Sequence, residues 1–288
     1  MKHERLKRVT KSNPCPICAK TDWCLVAPDG SAAICQRVEE GSKKRCGEAG
    51  WLHILSNKPF VRNNQRRQRV RNVTTKTSTT NWKLYAQQFS KMLPPKGLIA
   101  VARSLGVSAE SLQRLGVGFD LFACAYTFPM SNVNMDIIGI RKRMYKGSKS
   151  SYEGCNSGLF IPKDLHGKGV LLVCEGPTDT AAGLDLGYDT IGRPDCMSCV
   201  EMTAGVCRGR DVTIVADNDI PKEDGLNPGK KGAELLARKL VLVCSSVRII
   251  FPPIECKDLR GWYRTGITTS EIQRIIENTQ PLTLEIKR

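Results

Sequence analysis

The chain has 288 residues, 44 Lys+Arg against 28 Asp+Glu, and a formal net charge of +16, enough length for two compact units or for one unit with a small appendage. No stretch approaches the roughly 18 apolar residues of a membrane span, and MKHERLKRVTKSN at the start has no secretory apolar segment, so the 13 cysteines are expected reduced in a cytoplasmic, nucleoid-associated protein with no membrane partner. The charge is uneven: residues 1–81 carry 17 Lys+Arg against 6 Asp+Glu and the remainder 27 against 22, the footprint of a polyanion binder, because Lys and Arg release counterions condensed on phosphates.

The first element is Cys15-Pro16-Ile17-Cys18, with Cys24 and Cys35 following. Reduced cysteines at close spacing read as metal ligands. A Cys-x-x-Cys knuckle chelates from a tight turn, and a second pair from a hairpin completes the closed tetrahedron of structural zinc. WCLVAPDGSAAICQRV supports such a hairpin, with Asp29-Gly30 as the turn between two short apolar runs. Residues 12–55 are too few to bury a self-sufficient core, so the metal is expected to supply folding energy. Cys46 and His53 stand as alternatives to Cys24 or Cys35; Cys35 is favoured by its place on the return strand.

Residues 56–81, SNKPFVRNNQRRQRVRNVTTKTSTTN, hold seven basic residues and no acids. That composition cannot drive burial, so it reads as a basic flexible linker. A new subdomain spans residues 82–165. LYAQQFSKML is expected helical, and SLGVSAESLQRLGVGF is expected to form a second helix with Ser108 as N-cap and Gly116 at its end. YTFPM and DIIGIRKRMY then pair as strands around Ser131-Asn132. Arg141 and Arg143, two apart on a strand, face one side, and Lys146 and Lys149 follow in a Gly/Ser loop. Basic side chains on one face suit a triphosphate or a template backbone.

Residues 166–266 alternate strand and helix, which predicts right-handed crossovers in a parallel sheet. VLLVCEG ends in Glu175, VTIVADND carries Asp217 and Asp219, and VRIIFPPIECKDL ends near Asp258. Carboxylates just past buried parallel strands gather at the edge where open α/β sheets bind ligands. Like charges at one edge need a cation, and hard oxygen ligands in a wet cleft suit Mg²⁺ and phosphoryl transfer. A second thiol set, Cys196, Cys199 and Cys207, lacks a fourth ligand and is read as incidental; Cys124, Cys155, Cys174, Cys244 and Cys256 are singletons. Residues 267–288 form a C-terminal helix and tail, with Thr268 and Glu271 as a capping box.

The order Glu-Gly, Asp-x-Asp and Lys-Asp-Leu resembles the Toprim pattern of bacterial and phage primases, topoisomerases and some nucleases. GKKGAELLARKL (229–240) resembles the helix after the Asp-x-Asp loop in primases, and KDLRGWYRTG (257–266) resembles their closing segment. The Arg141/Arg143 strand is similar to the one that precedes the Toprim part. The cysteine set resembles the primase zinc ribbon, although its second pair departs from the usual Cys-x-x-Cys. The resemblance covers nearly the whole chain. It implies an α/β Toprim core (a parallel-rich sheet flanked by helices), an α+β N-terminal subdomain and a small β zinc-ribbon domain.

By the same resemblance the protein is expected to be a DNA-dependent RNA primase. Asp217, Asp219 and Asp258 would hold two catalytic Mg²⁺ ions, with Mn²⁺ as an alternative, and Glu175 would be a metal ligand or the acid/base. Arg141, Arg143, Lys146, Lys149, Lys230 and Lys231 would bind triphosphate and template, and one zinc would be structural. The partners would be single-stranded DNA, ribonucleoside triphosphates and a replicative helicase in trans, since GLNPGKKG fails the G-x-x-x-x-G-K-[ST] phosphate loop. Two other classes use parts of the same pattern: a metal-dependent Toprim nuclease, and a non-catalytic zinc-containing DNA-binding protein of a mobile element. A topoisomerase would also need a nucleophilic tyrosine and gate domains, for which this length leaves little room.

Overall fold

A computed structural model of the chain describes residues 6–55, 80–144, 147–219 and 227–283, which divide between two compact units, Met1–Thr74 and Thr75–Arg288. Most of the expected linker, and Lys146, lie outside the described residues. No helix among those described is long and apolar enough to cross a membrane.

The first unit is an antiparallel sheet of short strands: β1 (Lys7–Arg8), β2 (Leu25–Val26), β3 (Ala32–Cys35), β4 (Lys44–Arg45) and β5 (Trp51–Ile54), in the order β1-β2-β3-β5-β4. The hairpin expected around Asp29-Gly30 is β2–β3, with Leu25 opposite Ile34. Asp29 Oδ1 fixes its turn by accepting from the Ser31 N–H at 3.1 Å and the Ser31 hydroxyl at 2.7 Å. The buried apolar set is Val9, Val26 and Ala33 packed around three buried cysteines. So small a core cannot offset chain entropy alone.

The second unit opens with α1 (Trp82–Met92), α2 (Pro95–Leu105) and α3 (Ala109–Arg114). The helix expected with Ser108 as N-cap and Gly116 at its end is α3, and the element that the sequence did not signal is α2 before it. Gly106 ends α2, and Ser108 starts α3 by accepting from the Ser111 N–H at 3.0 Å. Asp185 holds this corner, accepting from the Ser108 N–H at 2.7 Å and from both the Ser108 and Ser111 hydroxyls. Proline at the first helical position fits a helix start, and α2 begins at Pro95. An antiparallel sheet follows in chain order: β6 (Gly118–Asp120), β7 (Ala125–Ser131), β8 (Ile137–Met144) and β9 (Lys149–Ser151).

The rest alternates as the pattern predicts. The elements are β10 (Leu171–Glu175), α4 (Gly176–Asp185), β11 (Asp189–Arg193), α5 (Val200–Cys207), β12 (Asp211–Val215), α6 (Pro228–Leu240), β13 (Ser246–Ile250), α7 (Leu259–Tyr263) and α8 (Thr269–Asn278). The strands are parallel and ordered β11-β10-β12-β13. Period two splits their side chains between two cores. Leu172 and Cys174 pack with Ala181 and Leu184 of α4, Leu259 and Trp262 of α7, and Ile272 of α8. Leu171 and Val173 pack with Ala204 of α5 and Leu236 of α6. A sheet covered on both faces explains why its strands read as unbroken apolar runs.

At the strands' starting edge, a buried ion pair of 2.8 Å between Arg210 and Asp189 ties β11 to the segment entering β12. Thr268 and Glu271 form the expected capping box on α8. The segment after β11 is a loop holding Cys196 and Cys199, while Cys207 is buried on α5, a helix the sequence did not signal.

Candidate active site and zinc centre

In the first unit the sulfurs of Cys15, Cys18, Cys24 and Cys35 all lie within 4.8 Å of one another. Cys18 Sγ is 3.7 Å from Cys24 Sγ, which is 4.0 Å from Cys35 Sγ. A tetrahedron with Zn–S bonds of about 2.3 Å places its sulfurs roughly 3.8 Å apart, so the set fits one structural zinc. The knuckle closes where the Ala19 N–H donates to the Cys15 carbonyl at 2.8 Å. Four thiolates on a dication leave net negative charge, and Arg37 supplies the offset. Its guanidinium reaches Cys24 Sγ at 3.8 Å and Cys18 Sγ at 4.0 Å while pairing with Asp22 at 2.8 Å. Neither alternative ligand joins the cluster: His53 is buried with Nε2 donating to the Val38 carbonyl at 2.9 Å, and Cys46 precedes a short 3-10 turn. Cys196, Cys199 and Cys207 form no such cluster among the described residues.

In the second unit, β10 and β12 are neighbours from which the chain departs to opposite sides, to β11 and to β13. Their C-terminal ends therefore open a crevice at a topological switch point. Glu175 is the last residue of β10. Gly176 turns into α4 at φ +78°, a conformation that favours glycine, which is why Glu and Gly stand together. Beyond β12, Asn218 donates through Nδ2 to the carbonyls of Pro252, Pro253 and Cys256 at 2.6, 3.0 and 3.1 Å. Its N–H donates to the Lys257 carbonyl at 2.7 Å. That anchor draws in the segment that carries Asp258.

Asp219 accepts from the Gly229 N–H at the start of α6 at 3.1 Å. A Cβ at Gly229 would stand 2.4 Å from the Asp217 carbonyl oxygen, so only glycine allows α6 to begin there. Asp258 caps α7 by accepting from the Gly261 N–H at 2.6 Å. These carboxylates repel one another. Burial, then Glu175, Asp179, Asp258 and Asp219, push the Asp217 carboxyl up to about 8, and burial followed by Asp219 raises Glu175. Lys257, 3.5 Å from Asp219, offers partial relief. Among the described residues the carboxylate oxygens are not drawn together as closely as the sulfurs. Crowded acids that remain partly exposed to solvent are a donor set that fits Mg²⁺, which keeps much of its hydration.

Sequence reasoning missed Asp179. It is buried on α4, accepts from the Arg260 N–H at 2.8 Å, and is pushed up to about 7 by burial and then by Asp258. The available signal was its position one helical turn beyond Glu175, as the acid in the first turn of α4.

The basic residues divide between two places. Arg141, Arg143 and Lys149 converge: Arg143 is opposite Lys149 in the β8–β9 register, and all three line a small cavity with Phe128, Phe160 and Gly176 to Thr178 at the start of α4. The cations thus border the turn that carries Glu175. A larger cavity of about 440 Å³ opens between α2 and β7–β8 on the Tyr126 side of Arg143 and is lined by none of the carboxylates. Lys230 and Lys231 are instead exposed on the first turn of α6, without an ion-pair partner among the described residues.

No protein-family model and no curated protein sequence matches the chain. Solved structures match it in fold. The zinc-binding and RNA polymerase domains of the Aquifex aeolicus primase align with 97% of this chain and 82% of that one, at 12% identity and a TM-score of 0.54. A DnaG primase catalytic domain bound to single-stranded DNA aligns with 72% of this chain and 82% of that one, at 14% identity and a TM-score of 0.53. The E. coli primase catalytic core aligns over 69% and 79%, at 15% identity and a TM-score of 0.53. The chain therefore has the primase-core fold, a parallel Toprim sheet preceded by an antiparallel α+β subdomain.

Metal analysis of the purified protein should find one zinc per chain, lost in Cys35→Ser and kept in Cys46→Ser; the reverse pattern would contradict the assignment of ligands. The crevice also has a pH signature. Asp217 and Asp179 bind protons in the folded state up to about 8 and about 7, whereas unfolded aspartates release them near 3.9. In magnesium-free buffer the folded form holds more protons across that window, so stability should fall as pH rises from about 4 to 8. Thermal melts should show this decline, flattened in Asp217→Asn; a melting temperature that climbs across the window in both proteins would refute it.

Proposed function

We propose that the protein is a DNA-dependent RNA primase that joins ribonucleotides on a single-stranded DNA template. The observation that carries this reading is a crevice of half-buried, mutually repelling carboxylates beside a cluster of cations without ion-pair partners among the described residues, on a primase-core fold. Asp217, Asp219 and Asp258 would hold Mg²⁺. When bound there, Mg²⁺ lowers the pKa of the attacking 3′-hydroxyl and neutralises charge on the departing pyrophosphate.

The chain's own residues do the positioning. Arg141, Arg143 and Lys149 take the triphosphate through charge-assisted hydrogen bonds, orienting it toward the crevice. Glu175, raised by burial and by Asp219, sits opposite Arg193 in the β10–β11 register and exchanges the proton that leaves the hydroxyl. Lys230 and Lys231 extend the positive surface for the template backbone. In the first unit, exposed Trp23 under Arg8 and half-buried Trp51 under Arg45 pair aromatic faces with guanidinium groups 5.9 and 5.5 Å from the ring centres. Such surfaces stack unpaired bases, which suits reading of a short single-stranded start sequence. Duplex opening falls to a replicative helicase acting in trans.

The test is incubation with single-stranded DNA, Mg²⁺ and labelled ribonucleotides. Short RNAs should form, vanish with chelator, and drop about 100-fold or more in Asp217→Asn, whose melting temperature should be no lower than wild type. No RNA on any template, or an Asp217→Asn protein as active as wild type, would refute the proposal. Nicking of supercoiled plasmid without RNA synthesis would favour the nuclease reading.

A further inference from the structure

The cation cluster has a fourth member that neither sequence pattern nor spacing singles out. Arg260 leaves the first turn of α7, two residues beyond Asp258. Its backbone N–H is fixed on Asp179 Oδ1 at 2.8 Å, which sets the residue between the carboxylate crevice and the basic sheet. Its side chain lies within electrostatic reach of both Arg143 and Lys149. Like charges do not gather in a half-buried place without a counter-charge, since the cost of desolvating each adds to their mutual repulsion. Asp179 reaches the group but is itself drawn toward its neutral form. Moreover, Arg260 Nε is sealed from solvent and has no hydrogen-bond acceptor among the described residues. A buried guanidinium donor without an acceptor normally costs about 1–3 kcal/mol or more, so such donors in native structures point to a missing partner. A partner that would also answer the uncompensated cations of β8, β9 and α7 is an anion with several acceptor oxygens.

We propose that Arg260 completes the phosphate-binding cradle, its guanidinium holding the nucleotide's polyphosphate where it passes from the carboxylate crevice to Arg141, Arg143 and Lys149. This rests on the primase reading above and adds to it a substrate-binding residue. An arginine suits the place because its planar fork offers several fixed donors and stays charged when buried. Its position on the segment that also carries Asp258 couples the two halves of the site: any shift of α7 moves an acid and a phosphate ligand together.

The experiment is calorimetric titration of the full chain with inorganic tripolyphosphate in magnesium-free buffer. Wild type is compared with Arg260→Gln, Arg260→Met and the control Arg238→Gln, which removes an exposed arginine from α6. Both Arg260 variants should bind tripolyphosphate about 10- to 100-fold more weakly, the range for a lost charge-assisted contact. The control should match wild type. Relief of crowding should also leave the melting temperature of Arg260→Gln unchanged or higher without ligand. In primer synthesis the variants should raise KM for ribonucleotides while leaving affinity for single-stranded DNA unchanged. Wild-type tripolyphosphate affinity in either folded Arg260 variant overturns the proposal, and if RNA synthesis persists the primase reading survives. A wild-type protein that binds neither tripolyphosphate nor nucleotide overturns both.

Discussion

Repulsion among Glu175, Asp179, Asp217, Asp219 and Asp258 is the force against which the second unit is built. Parallel pairing of β10 with β12 sets the first and third of these side by side. Asn218, donating to three carbonyls of the segment between β13 and α7, binds that segment to the Asp-x-Asp turn and brings Asp258 in. Gly229 lets α6 begin in contact with Asp217. None of these devices neutralises the acids; each only prevents their separation. The energy comes from the two apolar cores on either face of the sheet, where each fully buried Leu, Ile or Val contributes about 1.5–3 kcal/mol. A folded unit that keeps such a crevice gives up stability for a site that favours a cation.

The counterpart is an equally unbalanced group of positive charges next to it. The β8–β9 strands carry arginine and lysine on one face, and burial with mutual repulsion depresses Lys149 and Arg143. On the proposed primase reading, acids that need a divalent cation and bases that need an anion, side by side at the turn into α4, would receive a nucleotide with its metal. The zinc centre follows a different logic. Its four sulfurs serve a unit whose core is too small to stand alone, so a metal there would act on folding rather than on chemistry.

Much of this was legible in the sequence because the decisive features are local. An apolar run followed by an acid marks a strand end, and parallel strands send all their ends to one edge, so the meeting of Glu175 with Asp217 and Asp219 follows from pattern alone. The capping box at Thr268 and the hairpin at Asp29-Gly30 are likewise short-range signals. What escaped depends on distant contacts. The sequence did not signal α2, and its corner with α3 is held by Asp185, 77 residues away from Ser108. Asp179 looks like an ordinary helix residue until Asp258 and Arg260 arrive beside it. The fourth zinc ligand was open because Cys35, Cys46 and His53 all lie on or near returning strands, and only the packing places Cys35 inward.

The central claim, that these carboxylates share a divalent cation, is tested most directly by anomalous diffraction from crystals soaked in Mn²⁺. Density for metal between Glu175, Asp217, Asp219 and Asp258, absent in Asp217→Asn crystals, is the expected result. Strong Mn²⁺ peaks elsewhere with none in the crevice, or carboxylates splayed into solvent away from one another, would contradict the account.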